Sequence, residues 1–543
     1  MLAGSPENWL IASGRKWKRA AAGYLKGSLR RGADEFLPNR ETREHGRWIG
    51  RRIEVRNSSY TDAPVTGLLS VMTAVWDGSP VKYLRALADS IRVQNREGCT
   101  EWVLLDNGCQ RAELNACLRE LSAIPWVKLI RSEKNLGITQ GLRACLESAS
   151  GRYVLPVDGD DLLDLDALSV VTSAIVKNGY SPVLYTDEDK VIGSRRYQPY
   201  FKPDWDPVLL LNSAYIAHLG VVDRELALRV GAYSEAASEA SPDWDLFLRL
   251  LSAGYSGVHI PEVVYSWRVH AASTADDAAS KPAVHASQQR VLQRYLDARP
   301  DGDRFTVEYN AFFGGAPHWR FRSKQDCAVC AVKFDDKNWR ATLMGVQPDE
   351  GLVLLLGERV EIKSPDWTRE IGGLFELHPD AVMVGGMLLD QDGRLIEAGQ
   401  IFGFDGGSGS PEAGRRVNDP GYFGQMWKQR SVSAVSAHMA VIRADFLRRV
   451  LEDLPSGSPA LLGPWAGAHA LREGKRVIYT PFLSGIARSA ESLLMNPAER
   501  DLFVHAYADL IPDHRYYSRF FSLEKPYGLR PAEQVGAVFQ TIR

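Results

Sequence analysis

From Thr66 onward, short apolar runs alternate with amphipathic stretches, and this alternation leaves the chain few folds. Gly67–Val75, Glu101–Asp106, Val127–Arg131 and Tyr153–Val157 read as strands. Val81–Val93, Arg111–Leu121 and Ile138–Ser148 have helical spacing; the first places Tyr83, Leu84, Leu87 and Ile91 on one face. A β-α-β-α succession predicts a parallel sheet with helices on its faces. Ligands of such sheets sit at the carboxyl ends of the strands. The polar residues that end these strands are therefore the candidates: Asp77, Asp106 and the run Asp158-Gly-Asp-Asp161.

A helix over Pro282–Asp297 closes this unit, and Arg299-Pro-Asp-Gly-Asp303 marks a boundary. Beyond it a similar order begins again: a strand at Cys327–Phe334, another at Leu352–Leu356, a helix at Trp367–His378 and a strand at Ala381–Leu389. Gly254-Tyr-Ser-Gly-Val-His-Ile-Pro261 returns late in the second half as Gly474-Lys-Arg-Val-Ile-Tyr-Thr-Pro481. This is an internal repeat, two copies of one α/β fold with the second shortened. The expected organisation is a basic helical leader and linker over 1–64, a first domain over 65–302, and a second domain with a tail over 303–543.

A chain of 543 residues with six cysteines is no disulfide-stapled miniprotein. Its apolar runs, such as Gly351–Gly357, fall far short of the ~18–20 residues that span a bilayer. Met1–Arg15 lacks the basic-then-apolar layout of a secretion signal. The expectation is a cytoplasmic protein. A net charge of −2 gives no sign of a nucleic-acid partner. The charge is uneven, however: Arg15, Lys16, Lys18, Arg19, Lys26, Arg30 and Arg31 are interleaved with Trp17, Tyr24, Leu25 and Leu29, with no acid between them. Two readings fit this segment: a helix lying peripherally on the anionic inner membrane surface, or a solvated helix that docks a partner.

Two carboxylates one residue apart at a strand end, Asp158 and Asp160, suit a hard divalent cation, Mg²⁺ or Mn²⁺, shared with a phosphate. The surrounding phrases carry a resemblance. Ser70-Val-Met-Thr-Ala-Val-Trp-Asp77, Leu104-Leu-Asp-Asn-Gly108, Glu133-Lys-Asn-Leu-Gly-Ile138, Val157-Asp-Gly-Asp-Asp-Leu162, Tyr185-Thr-Asp-Glu-Asp-Lys190, Pro242-Asp-Trp-Asp-Leu-Phe-Leu-Arg249 and Val264-Tyr-Ser-Trp-Arg-Val-His270 follow in order. Over 66–300 the chain resembles the family 2 glycosyltransferases of the GT-A fold, in the branch that builds bacterial O-antigen and related surface glycans.

The resemblance implies roles. Asp106 would lie near the nucleotide's base or ribose. Asp158 would contact the ribose, and Asp160 the metal, with His270 as a further ligand. Arg268, with His270, would belong to a loop over the diphosphate. Asp243 would be the catalytic base, and Asp245 would cap its helix. Asp187, Glu188 and Asp189 would lie at the donor or acceptor sugar, or form a solvated acidic turn. The implied reaction is an inverting displacement at the anomeric carbon of a sugar nucleotide. The donor would be dTDP-rhamnose or a UDP-sugar, and the acceptor a glycan, a lipid-linked saccharide or a protein. Ala74, Trp76, Asp77, Arg143 and Ser266 depart from the family's usual residues, which leaves the donor's identity open.

Residues 305–490 resemble the second glycosyltransferase module of this branch. There the metal-binding strand end reads Leu354-Leu-Leu-Gly-Glu-Arg359, and the base segment reads Gly463-Pro-Trp-Ala-Gly-Ala468. The expectation is a degenerate copy without catalysis. Cys327-Ala-Val-Cys330 lacks a second ligand pair at zinc spacing and reads as part of a core strand. The alternatives from other classes are a non-catalytic glycan- or sugar-nucleotide-binding scaffold and a metal-dependent nucleotidyltransferase. The carboxylates retained in the first half argue against the former. The Asp-Trp-Asp and Trp-Arg-Val-His segments argue against the latter.

Overall fold

The computed structural model describes residues 40–57, 60, 65–95, 97–235, 238–270, 282–312, 316–347, 349, 351–490 and 493–535. The basic segment 15–31 lies outside the described residues. The chain separates into two compact units. The first holds the described residues up to 205, those from 214 to 300 and those from 530 onward; the second holds 206–213 and those from 301 to 529. Among the described residues, no helix is long and apolar enough to cross a membrane.

The first unit follows the alternation. Helix α1 (Arg40–Asn57) leads into β1 (Leu69–Val75), α2 (Val81–Gln94), β2 (Glu101–Asn107), α3 (Ala112–Leu121), β3 (Val127–Ser132), α4 (Gly137–Ser148) and β4 (Tyr153–Pro156). There follow β5 (Leu162–Leu163), α5 (Ala167–Lys177), β6 (Val183–Ile192), β7 (Arg195–Tyr200), β8 (Gly220–Asp223), α6 (Pro242–Ser252), β9 (Val258–Arg268) and α7 (Pro282–Asp297). The sheet order is β3-β2-β1-β4-β8-β6-β9-β5, with β7 beside β6. Strands β1 to β4 run parallel, and β8 enters antiparallel between β4 and β6. The core packs Trp102, Leu104, Leu155, Ile260 and Tyr265 with Leu84, Leu87 and Ile91 of α2. One buried polar chain crosses it: Trp102 Nε1 donates to Thr73 Oγ1 (3.0 Å), which donates to the Val157 carbonyl (2.9 Å). It fixes the height at which β4 gives way to the acidic run.

Helix α1 differs from the leader-and-linker expectation. It belongs to the first unit and docks through buried arginines. Arg52 pairs with Glu262, which also accepts from Tyr60 (3.1 Å). Arg56 reaches Asp164 and Asp166, each at 2.6 Å, and the Val263 carbonyl at 2.7 Å. Both arginines are at most 1% exposed. A buried guanidinium is tolerated only when its charge and donors are all matched, and here they are.

The second unit repeats the first in strand order. After the hairpin β10 (Phe305–Phe312) and β11 (Ala316–Ser323) come β12 (Cys330–Phe334), β13 (Leu352–Gly357), β14 (Val360–Ile362), α8 (Trp367–Leu377), β15 (Ala381–Leu389), β16 (Leu395–Glu397), β17 (Met439–Arg443), α9 (Ala444–Asp453), α10 (Pro459–Arg472) and β18 (Arg476–Ala487). The order β12-β13-β17-β15-β18-β14 matches β1-β4-β8-β6-β9-β5, strand for strand and direction for direction. Register agrees too: Val183–Val222 and Leu184–Val258 in the first sheet correspond to Met383–Ile442 and Val384–Ile478 in the second. Among the described residues nothing corresponds to β2 and β3. Strand β12 is therefore an edge, and Cys330, Ala331 and Lys333 are exposed. The core-strand reading of Cys327–Phe334 is corrected accordingly: the strands that would cover it are missing.

Arg56→Ala is expected to cost about 3–5 kcal/mol of stability, because it strands Asp166 and leaves Asp164 with Arg196 alone. Arg85→Ala, at an exposed pair with Glu120, is expected to cost less than about 1 kcal/mol. Denaturant unfolding of the two variants checks the contrast.

Candidate active site

The strand ends of the first unit converge on one acidic floor. At the end of β2, Asp106 Oδ1 accepts from Cys109 N (2.9 Å). The turn needs Gly108, at φ +74; a Cβ there would lie 2.5 Å from the Asn135 backbone nitrogen. Asp77 is occupied otherwise: its Oδ1 accepts from the backbone nitrogens of Gln110 (2.8 Å) and Arg111 (3.0 Å) at the start of α3, and these bonds lower its pKa. Trp76 beside it is 55% exposed.

After β4 the chain turns through Asp158-Gly-Asp-Asp161. Asp158 opens to solvent on the floor of the site. Desolvation by the surrounding protein and the charge of Asp160 nonetheless push its pKa up, against the pull of His218. Asp161 is 1% exposed and accepts from Tyr265 OH (2.5 Å) and from Arg268 N (2.7 Å). This anchors the acidic turn to the end of β9. Asp160 then meets His270, whose Nε2 lies 2.7 Å from its Oδ2. The two groups assigned to a metal from sequence are thus brought together. Arg268 does not lie on a free loop. It ends β9, is 5% exposed, donates from Nε to the Asp160 carbonyl (2.6 Å) and stacks 4.4 Å over Tyr83.

Asp243 occupies the first turn of α6, half-buried. Desolvation raises its carboxyl pKa to about 6, helped by Asp158 and Glu188 and opposed by His218. Asp245, read from sequence as that helix's cap, is a tie instead. It pairs with Arg249 (2.6 Å) on its own helix and with Arg294 (2.5 Å) on α7, and the N-cap is Ser241.

The run Asp187-Glu188-Asp189 is no solvated turn. It lies in the middle of β6, at most 8% exposed. Asp187 accepts from Lys202 N (2.8 Å) and faces His259 Nε2 (2.8 Å). Asp189 accepts from Ser266 Oγ (2.7 Å) and Arg196 Nε (2.7 Å) and meets His45 (2.9 Å). Asp189 is consumed in buried pairs, and Asp187 is tied through Oδ1 alone, its buried Oδ2 having no hydrogen-bond partner among the described residues. Glu188 alone reaches the acidic floor: it accepts from His218 N (3.2 Å) and Lys202 Nζ (3.1 Å), and its charge acts on Asp243.

Sequence reasoning missed Tyr83 and His218 here, and gave Asp161, though within the candidate acidic run, no role. Tyr83 turns from the apolar face of α2 toward Arg268 and His270, 5.1 Å from the latter ring. His218 stacks on Tyr265 at 4.7 Å, its ligand atoms within 4.8 Å of those of Asp158 and Asp161. Burial alone would lower its pKa; the charges of Asp158, Glu188, Asp243 and Asp161 outweigh that and raise it. A signal was available. Ser213-Ala-Tyr-Ile-Ala-His218 recurs as Ser433-Ala-Val-Ser-Ala-His438, and the strand registers place the two histidines at the same point of the repeat. With only Asp336 to oppose the effect of burial, His438 is pushed down to about 4.

Two donor sets could hold a divalent cation. Asp158, Asp161 and His218 are close enough, but both oxygens of Asp161 already accept hydrogen bonds. Asp160 and His270 form the second set, now hydrogen-bonded to each other at 2.7 Å, and both side chains keep solvent access.

Residues 70–226, from β1 through β8, match the family described as Glycosyl transferase family 2. The uncharacterized protein y4gI of Sinorhizobium fredii is 28% identical over 446 residues, 70% of this chain and 48% of that protein. The O-antigen biosynthesis protein RfbC of Myxococcus xanthus is 27% identical over 408 residues, 63% of this chain and 31% of that protein. The chain spans half or less of the length of these two relatives. Among solved structures, S. aureus TarS 1–349 in complex with UDP-GlcNAc aligns at 20% identity and a TM-score of 0.35, covering 42% of this chain and 66% of that one.

The fold holds Asp243's proton more tightly than the unfolded chain, whose carboxyl titrates near 3.8. This stabilisation is complete below about pH 4 and is lost as pH rises through 6. Asp243→Asn is therefore expected to gain on the order of 2 kcal/mol over wild type at pH 8 and little at pH 4. Thermal melts at the two pH values decide it; equal melting points at pH 8 would contradict the desolvated carboxylate.

Proposed function

We propose that the first unit is a family 2 glycosyltransferase. It moves a sugar from a nucleoside diphosphate donor to a hydroxyl of a glycan, a lipid-linked saccharide or a protein in bacterial surface-glycan synthesis, with inversion. The observation that carries this reading is the pairing of two environments on one acidic floor. Asp160 and His270 form a polar, solvent-reached pair, and Asp243 is a carboxylate with its pKa raised to about 6. A polar, solvent-reached pair suits charge binding, and a carboxyl with a raised pKa suits proton removal.

Asp160 and His270 would hold Mg²⁺ or Mn²⁺, which when bound supplies positive charge against the donor's diphosphate. Asp106 and Asp158 orient the nucleoside from the ends of β2 and β4. Arg268, held over Tyr83, positions the Asp160 main chain and adds a fixed cation beside the departing diphosphate. Asp243 accepts the proton of the acceptor hydroxyl as that oxygen attacks the anomeric carbon from the face opposite the diphosphate. Glu188 and His218 set the charge around it. The donor sugar is dTDP-rhamnose or a UDP-N-acetylhexosamine.

The second unit is a non-catalytic copy. Its helix before the last strand reads Gly463-Pro-Trp465 where the first unit has Pro242-Asp-Trp244, and a Cβ on Gly463 would meet the Val435 carbonyl oxygen. Position 463 therefore has no room for a base of any kind. The unit serves as scaffold or acceptor platform.

The test is release of nucleoside diphosphate from dTDP-rhamnose and UDP-sugars with Mn²⁺ present. Asp243→Asn is expected to lower kcat by about 10²–10⁴-fold while donor binding, read as a metal-dependent thermal shift, persists. Wild-type kcat/KM is expected to fall as pH drops through about 6. Full turnover in Asp243→Asn contradicts the assignment of the base.

A further inference from the structure

Tyr233 and Asp243 line one small cavity at the start of α6, closed by Ala217, Gly220, Leu246 and Phe247 among others. Its volume is about 10 Å³, room for about one water molecule. Of the side chains that line it, only these two are polar. Tyr233 is 1% exposed, and its hydroxyl has no hydrogen-bond partner among the described residues. A buried hydroxyl left unbonded is costly, and a phenylalanine would fill the same space without that cost. The backbone of Tyr233 is also left-handed, at φ +57, a region that bulky side chains seldom adopt. The chain thus bears two penalties to keep this hydroxyl here.

The carboxylate across the cavity is equally unsupported. Burial and the charges of His218, Asp158 and Glu188 act on Asp243, and no hydrogen-bond donor among the described residues holds it. Tyr233 can be that donor. Burial, and next the charge of Asp243, with Asp158, Asp245 and Cys145 adding to it, keep its hydroxyl protonated. The repeat agrees. Between Arg229-Val230 and Pro242-Asp-Trp244 the first unit carries Tyr233; between Arg449-Val450 and Gly463-Pro-Trp465, where the acid is absent, the second carries no tyrosine.

We infer that Tyr233 is a positioning residue for Asp243: its hydroxyl donates to one water in this cavity, and that water donates to the Asp243 carboxylate. A bridge of this kind is nearly as good as a direct hydrogen bond. It holds one carboxylate oxygen on the cavity side and leaves the other for the acceptor hydroxyl. Its part in transfer rests on the reading of Asp243 as the base.

Thermal melts of the full chain at pH 8 compare wild type, Tyr233→Phe, Asp243→Asn and the double variant. Tyr233→Phe is expected to lower the melting point by about 2–4 °C, as loss of one hydrogen bond does. In the Asp243→Asn background the drop is expected to be clearly smaller. Turnover supplies the second readout: in Tyr233→Phe, kcat is expected to fall about tenfold with the KM for the donor unchanged. Tyr153→Phe removes a hydroxyl that donates to the Tyr180 carbonyl (2.8 Å), outside the cavity. It is expected to lower the melting point and keep kcat. Equal drops in the two backgrounds overturn the proposal, and so does full kcat in Tyr233→Phe. Unequal drops in a chain whose wild type turns over no donor would refute the transfer reading and uphold the tie between Tyr233 and Asp243.

Discussion

The candidate site depends on one buried carboxylate. Asp161 sits where water scarcely reaches, and both its oxygens are taken, one by Tyr265 OH at 2.5 Å and one by Arg268 N at 2.7 Å. Burial and the neighbouring Asp158 push its pKa well up. Such a group is costly to bury and costlier to leave unpaired, so the acidic turn and the end of β9 are held as one piece. From that tie the rest follows. Asp160 comes to His270, Arg268 reaches back to the Asp160 carbonyl, and Tyr83 supplies the ring on which Arg268 rests.

The two sheets form an internal experiment. Strand order, direction and register agree, yet where β4 leads into Asp158-Gly-Asp-Asp161, β13 leads into Glu358-Arg359. The histidine common to both shows the difference. Among Asp158, Asp161, Glu188 and Asp243 it is held toward its charged form; in the second unit the same position is driven toward neutrality by burial. The architecture alone therefore does not make a site. Side chains at strand ends do, and in α10 of the second unit Gly463 lies so close to the Val435 carbonyl that no side chain fits there.

Much of this was legible in the sequence. Buried parallel strands must be apolar on both faces, so β1, β2 and β4 announce themselves, and with them the acids at their ends. The helix Pro282–Asp297 and the strand Ala381–Leu389 appear with their read bounds. What stayed hidden has a common cause: polar residues whose burial depends on partners far along the chain. Helix α1 looks like a charged linker because Arg52 and Arg56 find Glu262 and Asp164 only in three dimensions. Asp187 and Asp189 look like a turn for the same reason, their partners being His259, Arg196 and His45. Asp245 looks like a cap until Arg294 of α7 arrives. Cys330 reads as core because the sequence does not show that the covering strands are missing.

The most direct test is the position of a bound cation. A crystal of the full chain soaked with Mn²⁺ and a nucleoside diphosphate sugar locates the metal by its anomalous scattering. The account requires the peak in direct coordination with Asp160 and His270, with the sugar's anomeric carbon facing Asp243. A peak coordinated instead by Asp158, Asp161 and His218, or a donor turned away from Asp243, would contradict it.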